Sequence, residues 1–132
     1  MAGFIVENMK NGIVKQFYYE DIPSLQKRDD VTLLDTRTVY EYMHGHAEGF
    51  INIPVDELRE RLTELDSSKP VYVMCQSGLR SYLATRILMQ NGFDAYNFAG
   101  GYRLYGTRIH IYNNIVYIAN NHWGKVLVQH AF

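Results

Sequence analysis

The chain has 132 residues, of which 47% are hydrophobic, 20% charged and 14% aromatic, with 13 Lys and Arg against 14 Asp and Glu. That length suits one domain with a core of its own, and the near-balance of charge excludes a broad basic nucleic-acid binder or a polybasic membrane peptide. The single cysteine, Cys75, excludes an internal disulfide and a cysteine-based structural zinc site within one chain.

In chain order, residues 1–12 read as a linker-like segment, 13–106 as the domain and 107–132 as a tail. Short runs rich in Val, Ile, Tyr and Phe at 14–19, 31–35, 50–53, 71–75 and 95–98 are expected as strands. Thr38 and Glu41 have the spacing of a capping box and predict a helix start. Asp56 is expected to cap a helix carrying Leu58, Leu62 and Leu65 at i, i+4 and i+7. Leu79, Leu83, Ala84, Ile87 and Leu88 form a second apolar stripe, with Gly92 where a left-handed cap belongs. Strand-then-helix alternation points to an α/β fold, a parallel sheet with helices on both faces. Ligands in such sheets sit beyond the carboxyl ends of the strands, where Cys75 and Asp35 fall.

The tail reads differently. Residues 108–112 and 115–119 flank Asn113-Asn114, and 126–128 follow Trp123-Gly124-Lys125, which predicts a β-rich, hairpin-like segment. A lone hairpin is marginally stable, so it is expected to pack on the domain or on another chain.

The string with chemical content is Val71-Tyr72-Val73-Met74-Cys75-Gln76-Ser77-Gly78-Leu79-Arg80-Ser81. An apolar strand delivers a thiol to the carboxyl edge of the sheet, and a short loop with a glycine leads into a helix. Gly78 permits backbone angles that a Cβ resists, so the loop can curl around the sulfur. Successive amides then point inward as a nest, reinforced by the positive end of the helix dipole. Both favour a thiolate and hence a reactive cysteine, expected to be reachable from water. Arg80 adds a fixed cation that can fork onto an anionic substrate; the alternative is a structural pair with a carboxylate such as Asp35. Asp35 and Arg37 are expected to buttress and orient, and Ser77 to add a hydroxyl donor.

These residues resemble the rhodanese family of sulfurtransferases. The likeness rests on Leu33-Leu34-Asp35-Thr36-Arg37, on Gly45-His46-Ala47-Glu48-Gly49-Phe50-Ile51-Asn52-Ile53-Pro54, on the loop from Cys75 to Arg80, and on Ala99-Gly100-Gly101-Tyr102. It covers roughly residues 14–105. The resemblance implies a five-stranded parallel sheet between helices. It also implies a cysteine that takes sulfane sulfur from a donor, thiosulfate or a small-molecule persulfide, and passes it to a thiol or cyanide acceptor. In that reading Gln76, Ser77, Gly78, Leu79 and Arg80 bind the persulfide, with Asp35, Arg37 and Ser81 supporting. Ala2-Gly3-Phe4, Glu7-Asn8 and the stretch from Gln76 to Ala84 look like the carboxy-terminal rhodanese domain of coenzyme A–disulfide reductases and related persulfide reductases. That closer likeness implies an upstream flavin-dependent reductase as partner, with FAD and NAD(P) belonging to it; this chain itself is expected to need no cofactor.

The sequence departs from the family pattern at Ala47, at Phe50, at Ser81 (where relatives often carry Gly), and throughout the tail. The tail could cover the site, mediate a homodimer or be foreign sequence. Two rival readings stand beside the transferase. A phosphatase or arsenate reductase on the same fold resembles it less, since that pattern separates Cys and Arg by five residues and places His before Cys. Here Gln76-Ser77-Gly78-Leu79 intervene and Met74 precedes. The other rival is a non-enzymatic interaction domain, whose usual mark, loss of the cysteine, is missing. His44 and His46 are not expected to chelate, and His110, His122 and His130 lie in the tail, so no metal is assigned. No apolar run approaches the ~20 residues of a membrane span, and the start lacks a secretory pattern. With one thiol this points to a reducing cytoplasm, with no nucleic-acid or membrane partner.

Overall fold

A computed structural model describes residues 14–118. Five short strands form one sheet: β1 (Lys15–Gln16), β2 (Thr32–Asp35), β3 (Ile51–Asn52), β4 (Val71–Met74) and β5 (Ala95–Asn97), in the order β1-β5-β4-β2-β3. Every pairing is parallel, and Asp35 stands opposite both Met74 and Asn52. The four helices are α1 (Ile22–Gln26), α2 (Val39–Met43), α3 (Leu79–Gln90) and α4 (Gly101–Ile118). Each of the five strands expected within residues 14–98 exists, trimmed at its ends.

Alternation along the strands sends successive side chains to opposite faces, and each face has its own core. Leu34, Val71, Val73 and Ala95 pack with Leu58, Ala84, Ile87 and Leu88. Leu33 and Met74 pack on the other side with Ile22, Leu25, Ala47, Phe50 and Phe98, and Tyr102 and Tyr105 cover this cluster. Ala47 and Phe50, two of the departures from the family pattern, therefore fill core positions. Helices do lie on both faces. Among the described residues no helix is long and apolar enough to cross a membrane.

Helix α2 begins as its capping box requires: Glu41 N–H donates to Thr38 Oγ1 at 3.2 Å and Thr38 N–H to Glu41 Oε1 at 3.1 Å. Gly92 takes a left-handed φ of +84°, as a cap at that position requires. Helix α1 has no counterpart among the expected elements, although Pro23 in its first turn is a helix-start signal.

Three expectations need correction. The helix capped by Asp56 is instead two 3-10 segments, Val55–Glu60 and Leu62–Glu64, and Asp56 lies inside the first, whose N-cap is Pro54. The 3-10 rise of about 2.0 Å per residue stretches the segment, and Leu58 and Leu65 still reach the core. The stripe on α3 is also rotated: Leu79 and Leu83 are exposed, while Ser81, Tyr82, Ala84, Thr85, Ile87 and Leu88 are buried. Ser81 and Thr85 can turn inward because their hydroxyls bond the helix's own carbonyls, Gly78 O at 3.2 Å and Ser81 O at 2.7 Å. Finally, residues 107–118 are not a hairpin but the continuation of α4. Tyr102, Tyr105 and Ile109 share its half-buried face, a helical spacing, and a helix satisfies its backbone without the partner strand that a hairpin needs. The expected strands at 126–128 lie outside the described residues, as do Ala119, His122, His130 and the linker-like segment.

Candidate active site

Strand β4 carries the chain to the carboxyl edge of the sheet, where Cys75 is the first residue beyond it. The next three residues, Gln76 to Gly78, turn back into α3. Their path is fixed by the first turn of α4: Tyr102 N–H donates to Cys75 O at 2.6 Å and Arg103 N–H to Gln76 O at 3.1 Å. Gly101, at φ +67°, approaches so closely that a Cβ there would lie 2.4 Å from Gln76 O. Both α3 and α4 therefore begin against this loop, with the amide-rich ends of their dipoles facing it.

Within the loop, Gly78 N–H donates to Cys75 Sγ at 3.0 Å. Gly78 has φ +101°, and a Cβ would come within 2.4 Å of Ala99 O, so position 78 is reserved for glycine on two counts. Leu79 and Arg80 follow as the first residues of α3, where a helix leaves its amides without an intrahelical acceptor. Of the successive amides expected to point at the sulfur, the Gly78 N–H makes the contact. The expected exposure is absent: Cys75 is 0% exposed. Ser77 and Leu79 are the loop residues facing solvent and Gln76 is half-buried, so the sulfur lies beneath the loop.

The supporting residues form two ion pairs. Arg37 and Asp35, both buried, make the first: Arg37 Nη2 meets Asp35 Oδ2 at 2.8 Å and Nε meets Oδ1 at 3.0 Å. Arg37 also donates to Gly45 O at 2.7 Å and to Gln76 Oε1 at 3.4 Å, and its guanidinium lies 4.0 Å from the Tyr102 ring centre. It thus ties the Cys75 loop to the segment after α2 and to α4. The second pair is Arg80 with Glu41, bidentate at 2.6 and 2.9 Å. Arg80's partner is therefore Glu41, while Asp35 is taken by Arg37. The hydrogen bonds from Arg80, with help from Thr38, hold the Glu41 carboxyl down from 4.5 to about 2, and the same contact raises Arg80. The pair is charged at any working pH. Ser81 is buried and braces Gly78 O.

Sequence reasoning misses Glu41 and Arg103 as site residues. Glu41 has a complete local explanation as a capping-box residue, which hides its second bond to Arg80. Arg103 falls just beyond the Ala99–Tyr102 motif and carries no local signal. His44 and His46 each direct Nδ1 to a carbonyl four residues back, Tyr40 O and Tyr42 O.

A family model described as a rhodanese-like domain matches residues 19–107. The sulfurtransferase of Allochromatium vinosum is 35% identical over 86 residues, 61% of this chain and 80% of that protein. The Bacillus subtilis protein YqhL is 40% identical over 78 residues, 58% of this chain; the match spans 62% of that protein's length. Among solved structures, reduced Bacillus anthracis CoADR-RHD superposes with a TM-score of 0.74 at 39% identity, covering 80% of this chain and 19% of that one.

Proposed function

Since the chain belongs to the rhodanese-like domain family, we propose that it is a sulfurtransferase that carries sulfane sulfur as a persulfide on Cys75. The observation that carries this reading is the Gly78 amide donating to Cys75 Sγ in a loop closed between β4 and α3. The Cys75 thiolate attacks the outer sulfur of the donor. With thiosulfate, the new S–S bond to Cys75 forms as the bond to the sulfonate breaks, and sulfite leaves with the electron pair. With an organic persulfide, the leaving group is the parent thiolate. An acceptor thiolate or cyanide then attacks the outer sulfur and regenerates Cys75. The persulfide is anionic, and amides at the start of α3 stabilise it as an oxyanion hole stabilises an oxyanion. The likeness to CoADR-RHD supports an upstream reductase as partner, with the flavin and nicotinamide residing there.

The test is intact-mass measurement after incubation with thiosulfate or glutathione persulfide. The chain is expected to gain the mass of one sulfur atom, released by cyanide or thiol. Cys75→Ser is expected to keep its circular dichroism and gain nothing. A wild-type chain that gains no sulfur from either donor refutes the reading and leaves an interaction domain in its place.

A further inference from the structure

The sequence makes Arg80 the natural ligand for an anionic donor, yet its fork is occupied. Both of its terminal nitrogens bond Glu41, and Glu41 is itself anchored by Thr38. Arg37 is equally committed, to Asp35, Gly45 O and Gln76. Neither arginine beside the thiol offers an uncompensated charge. An incoming dianion would have to displace a carboxylate held in a bidentate pair, the strongest geometry such a pair adopts.

One further cation borders the loop. Arg103 stands in the first turn of α4, and its N–H donates to Gln76 O at 3.1 Å, one residue after the thiol. Its side chain is exposed, and among the described residues it has no ion-pair partner. It also lies at the amino end of an 18-residue helix, where the helix dipole adds to its positive field. Ser77, an exposed member of the loop, lies between Gln76 and Gly78.

We propose that Arg103, not Arg80, is the specificity-determining cation that receives small anionic sulfane donors of the thiosulfate type at the mouth of the Cys75 loop. The proposal rests on the sulfurtransferase reading given above. Thiosulfate docks its sulfonate end against Arg103, leaving the outer sulfur directed to Cys75. The thiolate attacks that sulfur, the S–S bond of the donor breaks, and sulfite departs with the bonding pair. Arg80 and Arg37 keep the loop in shape during the exchange.

The experiment is steady-state transfer to cyanide with thiosulfate as donor, over a range of ionic strength, for wild type, Arg103→Gln, Arg103→Lys and Arg80→Gln. Arg103→Gln is expected to raise KM for thiosulfate about tenfold at low salt, with a smaller change in kcat, and to flatten the salt dependence. Arg103→Lys restores charge without the fork and is expected to recover the salt dependence. A purely structural contribution would not move that slope. An unchanged KM and slope in Arg103→Gln, or loss of the slope in Arg80→Gln alone, overturns the proposal. So does a wild-type chain charged by glutathione persulfide and not by thiosulfate, an outcome that leaves the Cys75 persulfide intact. Absence of a Cys75-linked sulfur with both donors removes the transferase reading, and this proposal with it.

Discussion

Gly78→Ala isolates the geometry on which the Cys75 loop depends. Two costs arise. A residue with a Cβ at φ +101° carries backbone strain of about 1–3 kcal/mol. The new methyl carbon would also lie 2.4 Å from Ala99 O, with Ala99 C and Cα at 3.1 and 3.2 Å, and forcing such a group into packed backbone costs a further ~1–3 kcal/mol. Gly92→Ala supplies the control, since Gly92 has φ +84° and a Cβ there would meet nothing within 4 Å. It keeps the first cost and lacks the second. In urea denaturation Gly78→Ala is therefore expected to lose about 2–6 kcal/mol, and Gly92→Ala about 1–3 kcal/mol. Relief of the clash pushes the loop away from Ala99 and takes the Gly78 amide off the sulfur, so Gly78→Ala also loads less sulfur at equal folded fraction. Equal destabilisation of the two variants within about 0.5 kcal/mol, with unchanged loading, would refute the reasoning.

Two further outcomes follow from the ion pairs. Asp35→Ala strands the buried Arg37 guanidinium and is expected to cost about 3–5 kcal/mol in chemical denaturation; a loss below about 1 kcal/mol would show that the guanidinium finds water or another partner. Glu41, held down from 4.5 to about 2 by Arg80, contributes stability that is complete above its unfolded value and disappears as pH falls from there towards 2. Urea midpoints measured between pH 5 and 2 should thus fall less steeply in Glu41→Gln than in wild type, and parallel profiles would contradict the pairing.

The strands were legible because each is a short β-branched or aromatic run with turn residues at both ends, and the sheet's carboxyl edge followed from their alternation with helices. The Cys75 loop was legible for a different reason: thiol, glycine and helix start are contiguous, so their proximity needs no tertiary information. Arg80's true partner was not, because Glu41 lies 39 residues away and already satisfies a local rule. Nor was the burial of Cys75, which depends on how closely Tyr102 and Arg103 draw α4 onto the loop. In the tail, Ile and Tyr at alternating positions suggested strands, while Tyr102, Tyr105 and Ile109 had the competing helical period. The anchoring of α4 on the domain, through Tyr105 and the Arg108 bond to Glu20 at 3.1 Å, decides between them only once the fold exists. Leu79 and Leu83 misled in a related way, since hydroxyls that bond their own helix can occupy a buried face as well as leucines can.

The two arginines beside the thiol also explain what kind of electrostatics the site uses. Each is neutralised by its own carboxylate, so neither contributes a net charge to the sulfur, and each instead joins separate elements: Arg37 links the β2 end, the segment after α2 and the Tyr102 ring, and Arg80 links α3 to α2. Burying such pairs has a desolvation cost that their mutual attraction only partly offsets, so their return lies in geometry. That geometry holds the Gly78 backbone dipole against one sulfur atom, at the amino end of α3. Dipoles fixed in the backbone do not titrate and need no rearrangement when negative charge arrives. A site built this way would suit the single anionic sulfur proposed to form on Cys75, with the attraction of the whole donor left to the proposed contact at Arg103.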